Sequence, residues 1–327
     1  MKGGGERALE ALNSLLNRYS EDRDLRKGLA FSISHSGNII SPVRDSYTHA
    51  FVLFALASAF RLTGDQKLFD AVQAITAFID DRLTDEWAGG LFDCYPNPRA
   101  ARLQNPVMHM LEAFLALHEA WPDRGFLDRA GTIVHLFRER LFQPESGIIV
   151  ERYQRDWTAA PAVPGTYFEP GHQFEWAWLL RWYDIVSGTD HELFEDRLWL
   201  AACERGMTPD GLCMDEVAID SRLSKRTHRL WPHTEGIKAA VGRRERGDAG
   251  AGAVLTRLLG ALNSNFLGRP FPGGWTDRVD PHGNSIVDMV PASTLYHLYS
   301  AFKETSRAAR KECCSSLDRG RPQTLPL

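Results

Sequence analysis

A short glycine-led pattern recurs five times along the chain, and its regular spacing constrains the fold more than any other feature. In each copy, one or two glycines precede a few alternating apolar residues and an acidic or polar position. The leading glycines are Gly28, Gly90, Gly147, Gly211 and Gly274. Each stretch is long enough only for the arm of a β-hairpin. Spacing of roughly 60 residues indicates a repeat architecture.

Two kinds of helical segment alternate between these glycines. Residues 44–63 are apolar nearly all round, which predicts a buried inner helix that ends before Gly64. Residues 66–83 carry a one-sided apolar stripe, which predicts an outer helix. The same alternation of inner and outer segments returns at 105–120 with 124–142, 171–187 with 191–206, 232–246 with 250–266, and 291–309 with an outer partner at 8–19.

A helix pair of roughly 60 residues cannot bury its inner face alone, so repeated pairs must stack or close. Inner helices this apolar favour closure, and the sequence therefore predicts an all-α (α/α)6 toroid with short β-hairpins at one rim. An open solenoid is the alternative, but its ends would need polar caps. We expect one domain over residues 1–311 and a disordered tail over residues 312–327, which are rich in Ser, Arg and Pro.

The overall composition narrows the classes of function. A net charge of −4 provides no basic surface for nucleic acid or for an anionic membrane. No apolar run reaches the ~18 residues of a membrane span, and residues 1–6 open no apolar signal region, so a cytoplasmic location is expected. The five cysteines have no CxxC spacing, which argues against a disulfide framework and against a structural zinc site.

Polar side chains on the predicted inner helices are the candidate site residues, because the ends of these helices face the central cavity of a toroid. Asn105 stands before Pro106, where it serves either as a helix cap or as a site residue. His109 lies one turn further along an otherwise apolar helix. It is either a core histidine bonded to the backbone or a residue that contacts substrate.

A second candidate segment places His172 and Glu175 three residues apart at the start of a predicted helix, so the two side chains share one face. A carboxylate in that position can orient an imidazole and tune its pKa for proton transfer. The alternative is a capping arrangement within aromatic packing, since Trp176 and Trp178 follow directly.

Another inner helix begins with the segment from Trp231 to Glu235, with a proline in its first turn. Glu235 is either a partner of the helix dipole or a buried site carboxylate. His233 is expected to be exposed or to face a loop. In the last inner helix, His297 lies among apolar neighbours and is expected to be buried or to face the cavity.

Three histidines, His109, His172 and His297, thus come from three different inner helices and are expected at similar depth near one rim. A zinc site formed by them is a weaker alternative, because the sequence lacks the spacing of a zinc motif. There is no glycine-rich nucleotide fingerprint and no P-loop. We therefore expect acid–base chemistry without metal or cofactor. The many aromatic residues either line a site for a sugar or simply fill the core.

The segments around these residues resemble the N-acylglucosamine 2-epimerase superfamily, which includes mannose isomerases and cellobiose 2-epimerases. The matching motifs, in family order, are Asn105-Pro-x-Met-His109-x-Leu-Glu-Ala, Pro170-Gly-His172-x-x-Glu175-Trp-x-Trp-Leu-Leu, Leu230-Trp-Pro-x-Thr-Glu235, Gly273-Gly-Trp-x-Asp277 and Leu295-Tyr-His297-Leu. The resemblance extends over residues 44–302 and implies an (α/α)6 barrel.

The resemblance also implies roles for individual residues. His172 and His297 would be the acid–base pair that acts at C2 of a sugar. The residues that would support this pair or bind the sugar are Asn105, His109, Glu175, Trp231 and Glu235. Family members commonly carry an arginine on the second helix that contacts substrate oxygens, but this chain has Phe51 there. Arg44, two turns earlier, is expected to take its place.

These residues together predict a sugar isomerase that works through a cis-enediolate. The expected reaction is aldose–ketose isomerisation of the mannose–fructose type; the alternative is 2-epimerisation of an N-acylglucosamine or of a glucose-containing disaccharide. A phosphosugar substrate stays open because Arg226 and Arg229 precede the tryptophan motif. A glycoside hydrolase would need two carboxyl groups flanking the bond, and Glu175 with Glu235 or Asp277 could supply them. A non-catalytic sugar-binding protein is the third interpretation, and a homodimer is left open.

Overall fold

The computed structural model describes residues 3–96, 101–160, 166–219 and 225–319, with side chains described up to residue 311. Ten α-helices lie within these ranges. They are α1 (Gly4–Tyr19), α2 (Ser46–Thr63), α3 (Leu68–Phe78), α4 (Gln104–Ala120), α5 (Phe126–Leu136), α6 (Pro170–Ser187), α7 (Glu192–Gly206), α8 (Trp231–Arg246), α9 (Ala251–Asn265) and α10 (Thr294–Arg319). A π-helical turn continues α3 over Ile79–Leu83 and α5 over Phe137–Leu141.

The predicted alternation of inner and outer helices is confirmed. Helices α4 and α8 are buried on every side over most of their length, whereas α3, α5 and α9 bury one face. Apolar residues all round a helix exclude water from every face, which is why the first group lies inside. With the π-helical turns counted, the helix ends agree with the predicted ones within three residues, except that α1 begins at Gly4 rather than at residue 8 and α10 ends at Arg319 rather than at residue 309.

Twelve short strands pair into six antiparallel ribbons within the described residues. The pairs are β1 (Ser32–Ile33) with β2 (Ile39–Ser41), β3 (Arg44–Asp45) with β4 (Cys94–Tyr95), β5 (Arg102–Leu103) with β8 (Arg152–Tyr153), β6 (Phe142–Gln143) with β7 (Ile148–Ile149), β9 (Tyr167–Phe168) with β10 (Val217–Ala218), and β11 (His228–Arg229) with β12 (Arg278–Val279). Two of these ribbons, β1–β2 and β6–β7, are hairpins. The other four join strands far apart in the chain.

These four long-range ribbons share one position in the fold. Each one contains the strand that directly precedes an inner helix, namely β3 before α2, β5 before α4, β9 before α6 and β11 before α8. The register is the same in the first two, since Arg44 lies opposite Tyr95 just as Arg102 lies opposite Tyr153. Backbone pairing thereby holds the amino-terminal end of each of these inner helices, where the candidate site residues lie.

The chain divides into two compact units. The first unit comprises Met1–Thr166 and Trp182–Thr189, and the second comprises Tyr167–Arg181 and Asp190–Leu327. In the first unit, α2 packs against α1, α3 and α4, and α4 packs against α5. In the second unit, α8 packs against α9 and α10. The expectation of a single domain over residues 1–311 stays a prediction.

Each unit contains a buried histidine that clamps the backbone in the same way. In the first unit, Nε2 of His49 accepts a hydrogen bond from the Leu29 amide at 3.0 Å, and Nδ1 donates to the Asp45 carbonyl at 2.7 Å. In the second unit, Nε2 of His233 accepts from the Cys213 amide at 3.0 Å, and Nδ1 donates to the carbonyl four residues earlier. Burial lowers the pKa of His49, and it lowers the pKa of His233 to about 4.

The expectation that His233 is exposed is therefore wrong, because its side chain is fully buried. The imidazole turns inward to satisfy a buried amide of the glycine-led loop, and its ring lies 4.8 Å from that of Phe266. An unpaired buried amide costs about 1–3 kcal/mol, which accounts for a polar ring in the core.

The predicted disorder after residue 311 also needs correction, because α10 continues to Arg319. Two ion pairs hold the last turns whose side chains are described: Arg307 forms a bidentate pair with Glu245 at 2.7 and 2.9 Å, and Lys311 lies 3.6 Å from the same carboxylate. Residues 307–312 (Arg-Ala-Ala-Arg-Lys-Glu) have high helix propensity, so α10 continues past residue 309, where the predicted inner helix ends. Residues 320–327 lie outside the described residues. No helix among the described residues is long and apolar enough to span a membrane.

Candidate active site

The second unit brings together four of the candidate residues, and two of them, His172 and His297, contact the indole ring of a third, Trp231. The ring of Trp231 lies 4.9 Å from that of His172 and 5.5 Å from that of His297, measured between centroids. His297 in turn donates a hydrogen bond from Nδ1 to Oε1 of Glu235 at 2.7 Å. Helices α6, α8 and α10 each supply part of this group, so its assembly depends on the packing of these helices rather than on any local motif.

A glycine allows this close approach at the start of α6. A Cβ atom on Gly171 would collide with the ring of Trp231 and would lie 3.0 Å from Cα of Pro232. The glycine of the Pro170-Gly-His172 motif is therefore required by packing against the indole. Trp231 itself is fixed at the first position of α8 by the preceding residue, since the amide of Leu230 donates to the carbonyl of Asp277 at 2.9 Å.

A buried lysine completes the contacts of Glu235. Nζ of Lys238 lies 2.5 Å from Oε2 of Glu235, and both side chains are fully buried. The ammonium also lies 3.8 Å from the centroid of the Trp178 ring, a cation–π distance. Burial on its own raises the pKa of Glu235, but the charge of Lys238 and the bond from His297 outweigh it and hold that pKa below its ordinary value. The carboxylate is therefore ionised.

A carboxylate also lies near the other imidazole of the group. Nδ1 of His172 lies 4.0 Å from Oε2 of Glu169, and the same oxygen lies 2.5 Å from Nη2 of Arg229. Arg229 is also bonded through Nε to Asp215 at 3.1 Å. Burial on its own lowers the pKa of Arg229. The two carboxylates raise that pKa by more than burial lowers it, so the pKa lies above its ordinary value. Glu175 is fully buried on α6, one turn after His172.

Three charged residues of this region, Glu169, Asp215 and Lys238, were not among the candidates from the sequence. The sequence did contain a signal for Lys238, because this lysine stands three residues after Glu235 within a run of buried apolar residues on α8. A charged residue at such a position is rarely left without a partner. Asp215 offered no such signal, since its partners Arg229 and Arg278 are brought to it by the β11–β12 ribbon.

In the first unit, Asn105 lines a cavity of about 400 Å³ together with Asp45, Tyr47 and Asp93. The capping interpretation of Asn105 is wrong, because Leu103 occupies the cap position of α4 and Asn105 lies inside the helix. Its Oδ1 atom is buried and has no hydrogen-bond partner among the described residues. An unpaired buried acceptor is costly, so a ligand hydroxyl that bonded to it would gain this unmet hydrogen bond.

The other two candidates of the first unit are held by protein groups. His109 is buried, with Nδ1 3.2 Å from Oε2 of Glu112, and its ring lies 4.7 Å from that of Phe51. Arg44 is also buried, and it binds the carbonyls of Lys27 and Pro42 and, at 3.2 Å, the carboxylate of Glu21. The guanidinium thus holds the loop before α2, and its role toward substrate stays a prediction.

Comparison with known proteins identifies the family to which the sequence is similar. The sequence model of N-acylglucosamine 2-epimerase matches residues 2–301. The chain belongs to this family. The "Mannose-6-phosphate isomerase" of Rhizobium meliloti (strain 1021) is 32% identical over 286 residues, which are 82% of this chain and 71% of that protein. The "D-mannose isomerase" of Thermobifida fusca is 29% identical over 231 residues, 64% of this chain and 56% of that protein.

Solved structures show the fold of this N-acylglucosamine 2-epimerase family member. The cellobiose 2-epimerase from Spirochaeta thermophila DSM 6192 superposes with a TM-score of 0.83 at 20% identity, covering 94% of this chain and 80% of that one. Such enzymes have the (α/α)6 toroid fold, which confirms the predicted fold class. Membership of the family makes the protein a carbohydrate isomerase or epimerase.

Proposed function

We propose that the protein interconverts an aldose and its ketose by proton transfer between C2 and C1, with His297 as base and His172 as acid. The observation that carries the proposal is the shared contact of both imidazoles with Trp231. Since both rings contact one indole, we infer that they act on the same sugar. The indole face also suits the apolar face of a pyranose.

The hydrogen bond between Glu235 and His297 supports the choice of base. Since the ionised carboxylate accepts the proton on Nδ1, the lone pair of the neutral imidazole is on Nε2. An imidazole oriented by a carboxylate in this way is a competent general base. His172, with Glu169 4.0 Å from its Nδ1, is assigned the role of the acid.

The proposed reaction starts from the open-chain aldose. His297 removes the C2 proton, the electrons move toward the C1 carbonyl, and His172 protonates O1, so that a cis-enediol(ate) forms. His297 then returns the proton to C1 while His172 takes the proton of the C2 hydroxyl, which yields the ketose. Return of the proton to the opposite face of C2 would give the 2-epimer instead. Protonated His172 lowers the barrier by stabilising the developing oxyanion.

We propose substrate-binding roles for the remaining candidates. In the second unit, Glu175 binds a sugar hydroxyl or supports His172. In the first unit, Asn105 accepts a hydrogen bond from a hydroxyl, and His109 binds the sugar ring or its hydroxyls. Phe51 packs on His109 where relatives commonly carry an arginine, so we place no substrate-binding cation at that position. The names of the two relatives support mannose or its phosphate as the sugar.

A substrate panel in D2O tests the proposed function. Mannose, mannose 6-phosphate, N-acetylmannosamine and cellobiose are each incubated with the protein, and deuterium incorporation and products are followed by NMR. We expect a ketose with deuterium at C1 from mannose or from mannose 6-phosphate. Arg229 is held by two carboxylates, so a phosphate would have to be bound by other groups such as the exposed Arg226. Products confined to the 2-epimer would contradict aldose–ketose isomerisation.

A further inference from the structure

Lys238 is a fully buried lysine in the middle of an inner helix, and the proposed proton transfers give it no part. Its ammonium is held between the carboxylate of Glu235 at 2.5 Å and the face of Trp178 at 3.8 Å. Removing an ammonium group from water is costly, and only close pairing offsets that cost. The position of Lys238 therefore points to an effect of its charge on the neighbouring side chains.

One carboxylate joins this lysine to the proposed base. Oε2 of Glu235 faces Lys238, while Oε1 accepts the Nδ1 proton of His297. A buried carboxylate and an imidazole that are hydrogen-bonded titrate as a pair. Without a neighbouring cation, the buried pair would take up an additional proton, since burial disfavours its net negative charge. That proton would lie either on the carboxyl group or on the imidazole.

Either location of the additional proton removes the base. If the carboxyl group is protonated, it donates to Nδ1, and the imidazole carries its own proton on Nε2. If the imidazole is protonated, it carries protons on both nitrogens. In both cases Nε2 of His297 has no lone pair with which to remove a proton from C2. Lys238 prevents this, because its positive charge balances the carboxylate.

We propose that Lys238 is a positioning residue that holds the Glu235–His297 pair in the form with a single proton, on Nδ1 of His297, and so leaves Nε2 able to act as a base. The proposal rests on the assignment of His297 as the base. Another titratable group near the pair is Tyr296, whose ring lies 4.8 Å from that of His297. His172 contacts Trp231, as His297 does.

The test replaces the lysine with an uncharged residue of similar length, Lys238→Met. We expect the acidic limb of the kcat/KM–pH profile to move upward by about two units, so that the rate on that limb falls about 100-fold. The matched control is Lys225→Met, which removes the lysine of an exposed Lys225–Glu216 pair at 3.2 Å and is expected to leave the limb in place. If Lys238→Met does not fold, Lys238→Gln carries the same test.

A second measurement does not depend on turnover. In protein labelled with 15N-histidine, the ring nitrogens of His297, assigned by comparison with His297→Asn, report which nitrogen carries a proton. At neutral pH we expect an unprotonated Nε2 in the wild type and in Lys225→Met, and a protonated Nε2 in Lys238→Met. This result stands even if the protein fails to isomerise any aldose, so failure of the proposed function and failure of this inference are distinguishable.

A double variant tests whether Lys238 acts through the carboxylate. In a Glu235→Gln background, Lys238→Met is expected to leave the protonation of Nε2 of His297 as it is in Glu235→Gln alone, because no carboxylate is present to attract the additional proton. Retention of an unprotonated Nε2 in the single variant Lys238→Met would overturn the proposal. A difference in Nε2 protonation between Glu235→Gln and the double variant would equally overturn it, since Lys238 would then act on His297 directly.

Discussion

Glu235 on α8 accepts a hydrogen bond of 2.7 Å from His297 on α10, although 62 positions separate the two residues. The bond connects a fully buried carboxylate to an imidazole that is partly accessible. A buried acceptor fixes both the orientation and the tautomer of the ring while leaving its other nitrogen on the accessible side. The proposed chemistry of the site follows from this bond.

Replacing Glu235 with glutamine should therefore lower kcat by about 100-fold, with a much smaller change in KM. The amide can still form a hydrogen bond with Nδ1, but it cannot stabilise the imidazolium that forms when the C2 proton is removed. Steady-state kinetics and the melting temperature measure this effect. An unchanged kcat in a folded Glu235→Gln variant would show that the bond has no part in the reaction.

Gly171→Ala should destabilise the protein by about 1–3 kcal/mol, because the added methyl group collides with Trp231. The displaced indole should also lower kcat, since it contacts both imidazoles. Denaturant unfolding and kinetics measure the two effects. Gly260→Ala on α9 is a matched control: its Cβ would have no neighbour within 4 Å, and helix propensity predicts a gain of about 1 kcal/mol.

The stability of the fold should fall as the pH falls from about 6.5 toward 4, owing in part to His233. Burial lowers the pKa of His233 to about 4 in the folded protein, whereas an unfolded histidine titrates near ~6.5. Below pH ~6.5 the unfolded chain binds a proton that the folded protein does not, so this residue alone removes about 3 kcal/mol of stability between pH 7 and pH 4.

Denaturant unfolding at several pH values checks this contribution. In His233→Gln, whose side chain keeps one donor and one acceptor, the loss of stability between pH 7 and pH 4 should be smaller by a similar amount. The control His282→Gln changes an exposed histidine and should keep the wild-type slope. Equal slopes in all three proteins would contradict a buried neutral His233.

Asn105→Ala should raise KM by about tenfold while changing kcat little, which corresponds to the loss of one hydrogen bond to a hydroxyl. Asn105→Asp keeps an acceptor oxygen at the same place and should retain more of the affinity. Initial rates over a range of sugar concentrations distinguish the variants. A KM for Asn105→Ala equal to that of the wild type would remove Asn105 from the binding site.

The sequence predicted the helices well because each one carries its own signal in the period of its apolar residues. The ribbons were predicted less well. The glycine-led stretches suggested local hairpins, yet β3 pairs with β4, with Arg44 opposite Tyr95. A pairing of this kind depends on how helices pack between the two strands, and no local pattern reports it.

The same limit applied to the site. His172, Glu235 and His297 became candidates because histidines and carboxylates are unusual on apolar helices, and Trp231 became one through the resemblance to the family. The sequence did not show that Lys238 would lie beside Glu235 within a closed core. His233 was misassigned because only the fold reveals the buried amide of its partner, and sequence periodicity says nothing about unpaired backbone groups.

The measurement that tests the central claim most directly is exchange of the C2 hydrogen of the sugar with D2O, followed by NMR for the wild type and for His297→Ala. We predict deuterium incorporation with the wild type. With a folded His297→Ala variant that still binds the sugar, we predict no detectable incorporation. Exchange at the wild-type rate in His297→Ala would contradict the assignment of His297 as the base.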